Sequence, residues 1–250
     1  GYGCPKKKRD VKPKAGIRPQ KILPKFRGMK WPRIFIAFAL LGCSLPILAQ
    51  TNNRFGLHLG PIVSELQSFG TDAPSYDLRL RLYAGVFHEV SFDKNFGFVT
   101  EVAYAGHGGM QAVEVFNDAG ESVGLADYRI NLNYFQLPVM FRAKSGGEIF
   151  RAFADVGGYF GVLATAKGRF SPGSLPDNQN PPDETNLYEK YKVWDAGIRA
   201  AIGLEIQPMP AHVFFVRAQF SQGLMDIASE KTQTKRNQLI GLSLGYYFEL

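Results

Sequence analysis

The chain has 250 residues, of which 45% are hydrophobic and 13% aromatic, with 27 glycines and a net charge of +7. That length admits one large domain or two small ones, and the aromatic, glycine-rich composition leans toward an all-β protein. The charge does not signal nucleic-acid binding. Residues 1–50 hold twelve Lys/Arg and the single acid Asp10, leaving seventeen bases against twenty-one acids in the remainder, so the body is mildly acidic and no nucleic-acid partner is expected. Both cysteines, Cys4 and Cys43, also fall in that first segment, so the body carries no disulfide framework and no cysteine metal site.

In chain order, residues 1–28 form a basic upstream segment. Its Pro5–Val11 run (PKKKRDV) has the composition of a nuclear-localisation signal, but such runs are ordinarily solvated tails, and the export leader behind it contradicts nuclear import. That leader spans 29–49. Met29-Lys30-Trp31-Pro32-Arg33 is a short basic stretch, Ile34–Leu48 is a mostly apolar run of 15 residues, and Ala49 supplies the small residue at the cut. This is the pattern of a secretory signal peptide, and the run is shorter than the ~20 residues of a membrane-spanning helix. Translation starting at Met29 leaves 1–28 outside the mature protein, which then covers 50–250. Leu40-Leu41-Gly42-Cys43 resembles a lipoprotein box, but a cut there leaves only nine apolar residues, so cleavage after Ala49 is the expectation.

From Phe55 onward, segments of period two recur at 55–63, 79–90, 95–105, 129–143, 149–164, 193–206, 212–222 and 237–248. The gaps between them run 15, 4, 23, 5, 28, 5 and 14 residues, short and long in strict alternation. Strands that pass up and down through a slab, with tight turns on one side and long loops on the other, produce this rhythm. The three long internal gaps, Ser64–Leu78, Gly106–Tyr128 and Thr165–Lys192, are polar and are expected to be loops. The third, with Ser171-Pro172-Gly173 and Pro181-Pro182, is expected to be mobile.

Val193–Ile206 shows the two faces most clearly. Trp194, Ala196, Ile198, Ala200, Ile202, Leu204 and Ile206 form an unbroken apolar row, opposite Asp195, Gly197, Arg199, Ala201, Gly203 and Glu205. In a soluble barrel the apolar row faces a core, whereas in an outer-membrane barrel it faces lipid. Slab spacing and export leader together favour lipid. The fold expected is an eight-stranded antiparallel up-and-down transmembrane β-barrel. On the inward faces stand Glu101, Arg142, Asp155, Arg199, Glu205 and Arg217, charges of both signs. An eight-stranded barrel is narrow enough for side chains to fill, and charges there must pair. These six are read as a structural ion network plugging the lumen, with a proton or ion path as the sharper alternative.

Several phrases resemble the Bacteroidetes outer-membrane β-barrel family, the PorT-like or porin-family proteins. They are Asn95–Tyr104 (NFGFVTEVAY), Leu132–Phe141 (LNYFQLPVMF), Ala154–Gly161 (ADVGGYFG), Trp194–Glu205, Arg217–Met225 (RAQFSQGLM) and Asn237–Phe248. The resemblance covers Phe55–Leu250. The chain departs from the family pattern at Gln136, where an acid is common, and at Phe220, where Tyr is common. The resemblance implies a small barrel in the outer membrane, and the family contains a component of secretion and gliding machinery.

The function expected is a non-enzymatic outer-membrane barrel with a structural or surface-interaction role. It would contact outer-membrane lipid and, through its long outer loops, a protein partner. A small channel and a soluble periplasmic barrel that binds a ligand are the alternatives. Of His58, His88, His107 and His212, only His107, in Gly106-His107-Gly108-Gly109 at the start of a long loop with Asp118 and Ser122 further on, suggests a catalytic cluster; no recognisable nucleophile setting accompanies it. No phosphate loop or metal-ligand spacing is present, and no cofactor is expected.

Overall fold

A computed structural model of the chain describes residues 52–70, 74–116, 120–147, 149–171, 184–209, 211–230 and 233–249. The upstream segment, the signal peptide with Cys43, and the Pro-rich stretch 172–183 lie outside the described residues.

Among the described residues nine strands follow one another: β1 (Asn52–Phe69), β2 (Arg79–Ser91), β3 (Phe96–Phe116), β4 (Ser122–Gly146), β5 (Phe150–Phe170), β6 (Thr185–Asn186), β7 (Trp194–Met209), β8 (His212–Gly223) and β9 (Thr234–Glu249). The eight long ones form an antiparallel ring. Each pairs with its neighbour in the chain, β5 pairs with β7, and β9 closes on β1. The two-residue β6 adds only to the far end of β5. The closing seam runs from Arg54↔Glu249 to Phe69↔Thr234, interrupted at Gly60 and Pro61, so neither outer strand of the sheet is left as an open edge.

Alternation places the apolar rows outside. On β7, Ile198, Leu204 and Ile206 are exposed, Ile202 at 66%, while Asp195, Arg199 and Glu205 are buried. The same division holds on β4, where Phe135, Val139 and Phe141 face out, and on β9, where Ile240, Leu242 and Leu244 do. Aromatic side chains gather at both margins of this apolar belt. At the short-turn end Phe92, Phe98 and Phe141 cluster and Phe55 stacks on His88, with ring centroids 4.3 Å apart. At the long-loop end Phe160 stacks on Trp194 and Tyr104 meets Phe135 edge-on. Trp194 and Ile206 are twelve residues apart on one strand. At ~3.3 Å per residue and a tilt of ~40° that is a rise of about 30 Å, the thickness of a bilayer's hydrocarbon core.

The long gaps are not mainly loops. β1 runs on to Phe69, β5 to Phe170, and β3 and β4 remain paired as far as Phe116↔Ser122, so most of Gly106–Tyr128 is a two-stranded extension of the barrel wall. Polar side chains suit a ladder standing in water as well as they suit a loop, and composition alone does not separate the two.

This extension also relocates His107. It lies inside β3, fully buried, with its ring pointing into the lumen and Nε2 3.0 Å from Gln136 Nε2. The glycines around it permit close packing of the wall. Gly108 has a φ of 139°, and a Cβ there would lie 2.0 Å from the carbonyl oxygen of Ile130. Its backbone N–H and C=O meet the Ser64 hydroxyl of β1. His107 and Ser122 of the catalytic cluster suggested by the sequence are therefore part of β3 and β4, and Asp118 lies outside the described residues.

Candidate functional site

The lumen is filled by alternating ionic and apolar layers. Among the described residues it buries five bases (Arg54, Arg142, Lys144, Arg199, Arg217) and five acids (Glu89, Glu101, Asp155, Asp195, Glu205), a balanced set. Buried charges are costly unless paired or hydrogen-bonded; eight of the ten form ion pairs in two separate groups, and Arg199 and Asp195 are held by neutral partners.

The first group sits at the short-turn end. Arg142 of β4 grips Asp155 of β5 with two parallel bonds, Nε–Oδ1 at 2.7 Å and Nη2–Oδ2 at 2.8 Å, and its Nη1 reaches Glu89 Oε2 at 2.8 Å. The fork of a guanidinium matches a carboxylate in this way, which a lysine cannot do. Lys144 Nζ bridges Glu89 (2.8 Å) and Glu205 (3.0 Å), and Arg54 adds a contact to Glu89 at 3.3 Å. A recess of about 990 Å³ opens below this layer, and Arg54 and Lys144 form part of its lining.

An aromatic layer lies above. The Phe87, Phe153 and Phe215 rings meet edge-on at 5.6 and 6.1 Å, and the Arg142 guanidinium covers Phe153 at 4.3 Å from its centroid. Val99, Met140, Val213 and Tyr247 complete the layer. Inward glycines make room for the rings: a Cβ on Gly245 would lie 2.1 Å from Phe215 Cζ.

Beyond it comes the second group. Arg217 Nη1 stands 3.3 Å from Glu101 Oε2, His58 Nε2 lies 2.8 Å from Glu101 Oε1, and the Tyr83 hydroxyl donates to the same oxygen at 2.7 Å. Arg199 makes no ion pair. It donates to Ser221 Oγ (2.7 Å), to the Tyr83 hydroxyl and to Gln136 Oε1, and packs over the Tyr83 and Tyr159 rings. The Tyr159 hydroxyl and the Asn237 amide in turn donate to Asp195 Oδ2, at 3.2 and 2.9 Å.

The long-loop mouth is apolar. Leu66, Ile130, Leu132 and Leu163 from the wall pack with Tyr76, Leu187, Tyr191 and Ile227 from the connecting segments. Asp226 fastens these segments together: its carboxylate accepts from Lys192 Nζ (2.8 Å) and from the backbone N–H groups of Ala228 (3.0 Å) and Lys235 (2.9 Å).

All six lumen charges named from the sequence are buried, but they do not meet in one network. Arg142, Asp155 and Glu205 belong to the first group, Glu101 and Arg217 to the second, and Arg199 is held by neutral partners. Alternation in the sequence missed four groups that complete the layers. Arg54 precedes the first segment and Lys144 falls in a gap. Glu89 and His58 lie on strands whose faces were left unassigned. Extending the period-two pattern of those segments by one or two residues would have found Arg54 and Lys144. Among the described residues no group of three or more His, Cys, Asp or Glu side chains is placed to hold a metal ion.

A family description, the outer membrane protein beta-barrel domain, matches residues 48–229, the stretch from β1 through β8. The chain belongs to that family. Its location is accordingly the outer membrane, and the exposed apolar belt is its lipid-facing surface. No curated protein matches the sequence. Among solved structures, Ail, the attachment invasion locus protein of Yersinia pestis, is 14% identical, with 78% of this chain and 99% of that one covered and a TM-score of 0.37. OprG of Pseudomonas aeruginosa is 10% identical, covering 80% and 97%, with a TM-score of 0.42. The outer membrane protease OmpT of Escherichia coli is 8% identical, covering 80% and 97%, with a TM-score of 0.37. At such identities no activity passes from those proteins to this family member.

Proposed function

We propose that this protein is a closed, non-enzymatic outer-membrane barrel whose long-loop end is a surface for interaction with other molecules. The observation that carries the reading is the filled lumen: among the described residues, two ionic layers, an aromatic layer between them and an apolar plug at the long-loop mouth occupy it. Glu101, Arg142, Asp155, Arg199, Glu205 and Arg217 then serve the barrel as internal scaffolding. Their partners are one another and the lumen side chains of Glu89, Lys144, His58, Tyr83, Gln136 and Ser221.

Purified protein in a planar bilayer tests this directly. No current above the lipid leak is expected; discrete conductance steps would make the protein a channel and overturn the reading. A soluble periplasmic role would require release into buffer after periplasmic extraction. The resemblance to the PorT-like proteins of Bacteroidetes, together with the signal-peptide pattern at 29–49, supports a link to protein export and gliding. A deletion strain that displays its exported surface proteins normally and glides normally would remove that link.

A further inference from the structure

Past the aromatic margin at the long-loop end, the outer wall becomes basic. Arg79 and Arg81 of β2 both donate to one amide oxygen, Asn131 Oδ1, at 2.8 and 2.7 Å. The two guanidiniums are therefore no farther apart than the sum of those distances. Arg129 of β4 is close enough to repel Arg79 as Arg81 does. Across β4 and β5, Arg129 stands directly opposite Arg169, on the outer face, because the adjacent Ile130 points into the apolar plug. Arg129 and Arg169 are like charges directly opposed on one sheet face, which is destabilising, and the Arg79 and Arg81 guanidiniums reach the neighbouring Asn131 of β4. Among the described residues none of the four is within ion-pair distance of a carboxylate; Glu184 pairs with Lys167 and feels Arg169 only at longer range. Gly106 helps to create the site, since a Cβ there would lie 2.9 Å from Arg81 Nε.

The position on the wall says what the cations face. Leu80 and Leu82, alternating with Arg79 and Arg81 on β2, are exposed at 73% and 51%. On β4 the aromatic margin at Phe135 comes two residues before Asn133 and six before Arg129, counting toward the loops. Apolar surface and uncompensated guanidiniums thus meet at the height where acyl chains give way to headgroups. A guanidinium binds phosphate with two parallel hydrogen bonds, and a phosphate placed among these arginines turns their mutual repulsion into attraction.

We propose that Arg79, Arg81, Arg129 and Arg169 bind the phosphorylated headgroup of an outer-leaflet lipid whose acyl chains lie on the belt below. The inference rests on the outer-membrane reading of the fold. Its test uses the full chain, purified in detergent and offered lipid A bearing both phosphates or the same lipid A with the phosphates removed, with bound lipid counted by native mass spectrometry. The phosphorylated form is expected to be retained at least about tenfold better, with the preference falling as salt rises. Arg129→Gln with Arg169→Gln should abolish the preference, since it removes two of the four cations, and among the described residues neither side chain hydrogen-bonds to the barrel wall. Arg169→Gln alone, at an exposed position, should reduce it several-fold, and gel mobility without boiling reports whether each variant is folded. Equal retention of the two lipids, or an unchanged preference in the folded variants, overturns the inference. Density-gradient fractionation separates the two readings. A protein that sediments with the outer membrane but shows no preference overturns only the lipid site, whereas one released in buffer overturns the membrane reading itself.

Discussion

Arg142 is bonded to two carboxylates at once and covers an aromatic ring, all inside the barrel. Replacing it with Met leaves Asp155 without its cation and Glu89 with one cation fewer, and breaking such a buried pair costs ~3–5 kcal/mol. Arg142→Met should therefore lower the unfolding free energy of the barrel, measured by denaturant titration, by that amount; a loss below about 1 kcal/mol would mean the carboxylates find other partners. Asp226 is a different case, on the rim outside the belt. Burial pushes its carboxyl up, but the Lys192 ammonium and the N–H groups of Lys235 and Ala228 outweigh it and hold the pKa below its ordinary value. A depressed carboxylate stabilises the fold above its unfolded pKa, ~3.9, and that contribution is lost as pH falls through the lower folded value. Exchange protection of the Ala228 and Lys235 amides should persist from pH 7 to pH 5 and fall below about pH 4. Asp226→Ala should remove it already at pH 7 while leaving the partly exposed pair's small share of barrel stability, ~0–1 kcal/mol, as the only global loss. Protection unchanged in the variant would show that the segments are held elsewhere. The alternation of the sequence shows which side Arg142 faces. It does not show which partner this side chain meets, because partners such as Arg142 and Glu89 lie 53 positions apart.

At the scale of elements, β7 carries the belt and the lumen on opposite faces. Ile202 is exposed to the bilayer at mid-strand, so Ile202→Arg should cost ~2–4 kcal/mol and impair membrane assembly, as read by the fraction recovered in the outer membrane. Undiminished assembly would invert the face assignment. β7 was legible from its sequence because it alternates cleanly with no charge on the outer face. The extensions of β1, β3, β4 and β5 were not. Outside the bilayer both faces of a ladder stand in water or against polar neighbours, and period two fades once the two faces no longer differ. The same loss of contrast placed His107 in a loop although it lies in the wall.

For the whole molecule, closure decides stability. β9 joins β8 to β1, and without it two strands would present unpaired backbone groups to lipid, which has no hydrogen bonds to offer. Deleting 234–250 should abolish the compact, boiling-sensitive gel band of the folded barrel; a retained band would mean that the remaining strands can close. The sequence by itself determined the membrane-facing half of this protein: strand count, order, direction and outer faces follow from side-chain alternation and gap length, which are local properties of the chain. Only the tertiary structure decided how the interior is sorted, with two charge-balanced layers, a ring of phenylalanines between them and an apolar plug at the mouth. That sorting depends on the stagger between strands far apart in the chain, and on which small residues leave room for which large ones. Neither is written in any single segment.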